Sequence, residues 1–161
     1  MYKKILVPVD GSPTSNAGLA EALRLAKEAG AALRIFYLVD ELVAMSSVDG
    51  AGAYAGDLIE MLKQDGRRIV EKAAAMARRK GVQAESVMQE GLGGSAADAI
   101  VKQARKWHAD LIVLGTHGRR GVKRLVMGSD AEQVIRMTPV PVLLVRSKEA
   151  GGGAARRRRP S

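Results

Sequence analysis

The sequence predicts an α/β domain: a doubly wound, five-stranded parallel sheet with helices on both faces. Three observations carry this. Short runs rich in Val, Ile and Leu recur at 3–9, 32–39, 111–114 and 140–145, with a weakly alternating run at 82–88, and near-continuous apolar runs suit parallel strands buried on both faces. Segments with apolar residues at helical spacing alternate with them, the pattern of a parallel sheet covered by its own crossovers. Glycine, proline or a turn cluster punctuates the junctions.

Taken in order, Lys3 to Val9 (KKILVPV) forms the first strand, closed by the turn cluster Asp10-Gly11-Ser12-Pro13. Thr14 to Ala29 places Ala17, Leu19, Ala20, Leu23 and Ala26 at helical spacing, and Gly30 stops the helix. Ala32 to Val39 is the second strand. Asp40 to Gly56, with Gly50, Gly52 and Gly56, reads as a mobile loop. Leu58 to Lys80 is a long helix with Leu58, Leu62, Ile69, Ala73 and Met76 along one stripe, ended by Gly81. Val82 to Met88 is the third strand. Ser95 opens the next helix, with Asp98 placed for a capping box, and the helix runs to about His108. Leu111 to Leu114 is the fourth strand, ending at Gly115. Gly128-Ser129 opens a helix through Met137, which Thr138-Pro139 stops. Val140 to Val145 is the fifth strand. Residues 1–147 read as one domain with no internal repeat. Residues 148–161 read as a disordered basic tail of low complexity.

Composition narrows the function classes. The 161 residues suit a single core. Aromatic residues make up only 3%, which speaks against a base-stacking platform for single-stranded nucleic acid. The chain has no cysteine, which excludes a disulfide scaffold, a thiol nucleophile and a cysteine-ligated metal. The first residues read as strand and turn rather than as a signal peptide, and no apolar run reaches the roughly 18 residues of a membrane span. A cytoplasmic location is the expectation. The net charge is +9, nearly half of it from Arg156, Arg157, Arg158 and Arg159. Such charge fits a phosphate ligand, a merely solvated surface, or non-specific nucleic-acid binding through the arginine tail.

The chemistry concentrates in Gly115 to Ser129 (GTHGRRGVKRLVMGS), which follows a strand and runs into a helix. Gly115 and Gly118 carry no side chain, so backbone can approach a phosphate or adopt positive φ. Gly128 and Ser129 sit at a helix start, where free N–H groups and the helix dipole favour anions. The Ser129 hydroxyl suits a phosphate oxygen or a helix cap. Arg119, Arg120, Lys123 and Arg124 surround the loop with positive charge. A glycine-rich loop with a capped helix and nothing bound fits the same residues.

The spacing Gly-x2-Gly-x9-Gly-Ser matches the nucleotide-binding signature of the universal stress protein family. ILVPVDGS at the start and PVPVLLV at the close also resemble that family, over about residues 1–147. The resemblance implies the ATP-binding branch, a strand order of 3-2-1-4-5, and ATP as ligand, with magnesium. It implies that Pro8, Val9 and Asp10 line the adenosine part, with Asp10 on the ribose or a metal, and that Val39 touches the adenine. Gly115, His117, Gly118, Arg119, Gly128 and Ser129 would hold the phosphates. Asp130 departs from the apolar residue common at that place: it suits a helix N-terminus, and beside a triphosphate it either repels or holds magnesium. Pairing of two copies through the strand at 140–145 is implied as well.

Read on residue type alone, Asp10 suits a turn as well as a ligand. His108, beside Trp107, suits packing or capping. Gly91-Leu-Gly93-Gly-Ser-Ala96 matches a relaxed dinucleotide fingerprint, but Asp110 precedes its strand instead of ending it. No Walker lysine, HExxH or GxSxG motif occurs. A nucleotide-dependent regulator or sensor is the leading expectation, and a slow ATPase or phosphotransferase using Asp10 and a metal ion is the alternative.

Overall fold

The computed structural model describes residues 1–41, 52–91, 93–116 and 128–147. The elements run β1 (Lys4–Pro8), α1 (Pro13–Ala29), β2 (Ala32–Asp40), α2 (Gly52–Lys80), β3 (Ala84–Gly91), α3 (Ala96–Trp107), β4 (Leu111–Gly115), α4 (Ser129–Met137) and β5 (Val142–Val145). All four strand pairings are parallel, and the order across the sheet is β3-β2-β1-β4-β5.

Successive strand residues point to opposite faces, and both faces are buried. Ile5, Val7, Val9, Leu33, Ile35, Val39, Leu111 and Val113 meet Leu19, Ala22, Leu23 and Ala26 of α1 and Val70, Ala73 and Ala77 of α2. Leu6, Phe36, Ile112 and Leu114 meet Ala97, Ile100, Val101 and Ala104 of α3 and Ala131 and Val134 of α4. Each buried Val, Leu or Ile contributes about 1.5–3 kcal/mol. A one-residue slip would carry every strand side chain to the opposite face, so the packing fixes the register.

Three elements differ from the sequence expectation by two residues or more. α2 begins at Gly52 rather than Leu58, while 42–51 of the expected loop lie outside the described residues. Glycines 52 and 56 read as loop punctuation, but extending an established helix costs little per residue, and no atom lies near the place of a Gly56 side chain. β3 is shifted to Ala84–Gly91 because the Val82 N–H still donates to the Ala77 carbonyl, 3.0 Å, closing α2. β5 begins at Val142 because Pro141 has no N–H, although its carbonyl accepts from Ile112, 2.9 Å. His108 is the C-cap of α3, in the left-handed region at φ 56°.

Candidate functional site

The strand order reverses at β1, whose neighbours are β2 and β4. The β1–β4 ladder registers Ile5 with Leu111 and Leu6 with Ile112, and then stops. The Lys4 carbonyl accepts from Asp110 N–H on the β4 side, and Val9 N–H donates to the Phe36 carbonyl of β2. Main-chain groups alternate in direction along a parallel strand, so the residues aimed at β4 are Lys4, Leu6 and then Pro8. Pro8 has no N–H, and the ladder loses its next rung. Open α/β sheets receive ligands beyond the carboxyl ends of their strands at such a reversal, which makes the ends of β1 and β4 the candidate crevice.

On one side of the crevice stands the β1–α1 turn. Asp10 Oδ1 accepts from Ser12 N–H, 2.8 Å, and Asp10 N–H donates to Ser15 Oγ, 3.0 Å. Ser12 caps α1 by accepting Ser15 N–H, 3.2 Å. Gly11 takes φ +80°, and a side chain there would lie 3.0 Å from Ile69 Cδ1 of α2. Asp10 is therefore a turn-forming residue, held at the crevice by its own turn. The side chains of Val9 and Val39 are buried among α1 and α2. What these two residues offer a ligand is main chain, not side chain.

On the other side stand the end of β4 and the start of α4. Gly115 is not at positive φ. A Cβ on it would collide with the Thr14 carbonyl oxygen and lie 2.5 Å from Thr14 C and 2.9 Å from Ser15 N. Gly18 completes the contact, since its own Cβ would lie 3.1 Å from Gly115 N. On its Cβ side the bare backbone of Gly115 admits the first turn of α1. Thr116 donates its N–H to the Val145 carbonyl, 3.0 Å, and its carbonyl accepts from Gly128 N–H, 3.0 Å. That pair of bonds brings Gly128 to the end of β4. His117, Gly118 and Arg119 lie outside the described residues.

Gly128 is the N-cap of α4 and makes no side-chain cap bond; Ser129 is the first helical residue and does not cap. The bond from Glu132 N–H to the Gly128 carbonyl, 3.1 Å, begins the helix. The N–H groups of Ser129, Asp130 and Ala131 precede it and have no intrahelical acceptor. α3 is the contrast. Ser95 and Asp98 form a full capping box there, with bonds of 3.0 and 3.1 Å. The N–H and hydroxyl of Ser95 hold the Asp98 carboxyl below its ordinary range. Of the three helices whose N-caps are described, α4 is the one without a side-chain cap bond.

Two features were not singled out from the sequence. The Thr116 hydroxyl is buried and has no hydrogen-bond partner among the described residues. A cavity of about 180 Å³ opens at the carboxyl ends of β2 and β3, lined by Leu38, Asp40, Gln89, Gly94, Ser95 and Lys102 among others. The dinucleotide-like run borders this cavity, but its helix is already closed by Asp98. Asp110 lies at the opposite edge of the sheet, accepting from Lys3 and Lys4 N–H at 2.8 and 3.0 Å. No helix among the described residues is long and apolar enough to cross a membrane.

The family model of the universal stress proteins matches residues 1–146. The chain belongs to the universal stress protein family. A universal stress protein of Methanocaldococcus jannaschii is 39% identical over 147 residues, covering 91% of this chain and 83% of its own length. A solved member of the universal stress protein family from Burkholderia pseudomallei is 33% identical with a TM-score of 0.74, covering 89% of this chain and 96% of that one. A universal stress protein solved in complex with cAMP is 25% identical with a TM-score of 0.67, covering 91% of this chain and 98% of that one.

Proposed function

We propose that this universal stress protein binds ATP in the crevice between β1 and β4 and acts as a nucleotide-dependent regulator. The observation that carries the reading is the uncapped α4 N-terminus, set by Gly128 at the point where the β1–β4 ladder ends. Three main-chain donors and the positive end of a helix dipole there suit a phosphate chain. The cAMP complex of a relative supports an adenine nucleotide as the class of ligand. In this reading Gly128 and Ser129 hold phosphate, and His117, Gly118 and Arg119, which the family signature also assigns to it, lie outside the described residues. Pro8, Val9 and Asp10 line the ribose, and the main chain of Val39 borders the base. Gly115 contributes by letting α1 pack close. Magnesium would accompany the phosphates, and Asp130, exposed in the first turn of α4, would either hold the ion or repel the phosphates.

Binding rather than turnover is the activity expected. Hydrolysis needs an oriented water beside the phosphate, and the Asp10 carboxylate is engaged with Ser12 N–H. Calorimetry with ATP and single-turnover hydrolysis at saturating protein test both parts. Saturable binding with phosphate release far below the roughly 1–100 per second of protein kinases is the expected result. Absence of binding would reject the ligand, and turnover in the kinase range would replace the regulator by an enzyme.

Pairing of two copies through β5 completes the reading. β5 is the outer strand next to β4, and its residues are only half-buried; such an edge invites a second strand. Light scattering is expected to give twice the 17.1 kDa chain mass at micromolar concentration. A monomer mass would exclude the pairing.

A further inference from the structure

We propose that Thr116, which lies outside the fixed positions of the glycine signature, is a ligand-contacting residue whose hydroxyl donates to a phosphoryl oxygen held at the α4 N-terminus. The assignment rests on the nucleotide reading above. Thr116 is 8% exposed, and its Oγ1 finds no hydrogen-bond partner among the described residues. A buried hydroxyl without a partner destabilises the fold that carries it. Valine has the same shape and would pack at this place without that cost, as Leu111, Ile112, Val113 and Leu114 do along the rest of β4. Packing alone therefore gives no reason for a hydroxyl here.

Its direction follows from the strand. Ile112 and Leu114 face α3 and α4, while Gly115 faces the first turn of α1. Thr116 is next in the alternation and belongs to the α4 side. The residue is fixed at both main-chain ends, by Val145 through its N–H and by Gly128 through its carbonyl, each at 3.0 Å. The main chain of Thr116 is thus bonded to the start of α4, and in the proposed assignment its hydroxyl is directed toward the N–H groups of Ser129, Asp130 and Ala131. An O–H and several N–H groups call for a ligand with several acceptor oxygens on one centre, and the helix dipole selects an anionic one. The two acids of the first turn do not fill that place: Asp130 is exposed, and Glu132 is paired with Arg136 at 2.6 Å.

Full-length wild type, Thr116→Val and Thr116→Ser are to be compared by calorimetry with ATP, tripolyphosphate and adenosine, and by thermal melting without ligand. Thr116→Val is expected to melt at or above the wild-type temperature, to lose about tenfold in affinity for ATP and tripolyphosphate, and to keep its affinity for adenosine. Thr116→Ser is expected to bind as the wild type does. Equal ATP affinity in wild type and Thr116→Val overturns this assignment and leaves the nucleotide reading standing. So does a Thr116→Val protein that melts well below wild type while Thr116→Ser does not, because the hydroxyl would then serve the fold. A parallel loss of adenosine affinity places the hydroxyl off the phosphate chain and also overturns it. A wild type that binds neither ATP nor tripolyphosphate overturns the nucleotide reading and this assignment together.

Discussion

Replacing Gly115 by alanine is expected to destabilise the protein by about 3 kcal/mol, at the upper end of ordinary overpacking. At about 2–4 °C per kcal/mol for a chain of this size, the melting temperature should fall by roughly 10 °C. The added methyl would meet the Thr14 carbonyl, with Thr14 C at 2.5 Å and Ser15 N at 2.9 Å. All of these are main-chain atoms in the first turn of α1. That turn is held by the Ser12 cap and by the Asp10–Ser15 bond, so no side-chain rotation relieves the clash. Either β4 or the start of α1 moves, and with it the turn that carries Asp10. Gly56→Ala is the control: nothing lies near the new methyl, and a helical Gly→Ala change stabilises by about 0.4–1 kcal/mol. Thermal melting of the two variants checks the argument. A Gly115→Ala protein as stable as wild type would show that α1 does not pack on Gly115 as described.

The sheet was legible because both of its faces are buried. Apolar runs such as ILV at 5–7 and LIVL at 111–114 admit little but buried strand, and their alternation with helical spacing sets the layer order. The boundaries were less legible where the deciding partner is distant or tertiary. Gly52 and Gly56 look like loop residues until the rest of α2 is seen packed on the sheet. The ladder break at Pro8 depends on which way its missing N–H would have faced, and that is known only once Lys4 and Val9 are paired.

The candidate site is marked in the sequence by a spacing of glycines, but the packing around them is not. Gly115 was read as room for phosphate, and a second reason for it lies in Thr14 and Ser15, a hundred residues earlier in the chain, which fill the place a Cβ would take. Ser129 offered a cap or a ligand contact, and the start of α4 at that residue decides against the cap. The Asp10 turn reading was correct in full; a ligand role for Asp10 adds to it rather than replacing it. Thr116 carries no mark in the sequence, because a threonine at a strand end is commonplace and only burial without a partner sets it apart.

Gly128→Val is expected to remove ATP affinity while leaving the fold intact, the reverse of Gly115→Ala. The backbone of Gly128, at φ −57° and ψ 146°, is one that any residue adopts. Valine there introduces no strain, and the main-chain bond from residue 128 to the Thr116 carbonyl survives, since it needs no side chain. Valine is a poorer N-cap than glycine, at a cost of about 1 kcal/mol, which the fold tolerates because Gly128 makes no side-chain cap bond to lose. What changes is the space in front of the N–H groups of Ser129, Asp130 and Ala131. A branched side chain at the N-cap would stand where an anion approaches those donors. Loss of close main-chain contact with one phosphate group is expected to weaken ATP binding about 100-fold, equivalent to about 2.8 kcal/mol at 1.4 kcal/mol per tenfold. Adenosine, which carries no phosphate, should bind Gly128→Val and wild type alike. Calorimetry with both ligands, beside a melt showing that the variant is folded, checks the outcome. Equal ATP affinity in the folded variant and the wild type would move the phosphate chain away from α4 and sink the site proposed for it.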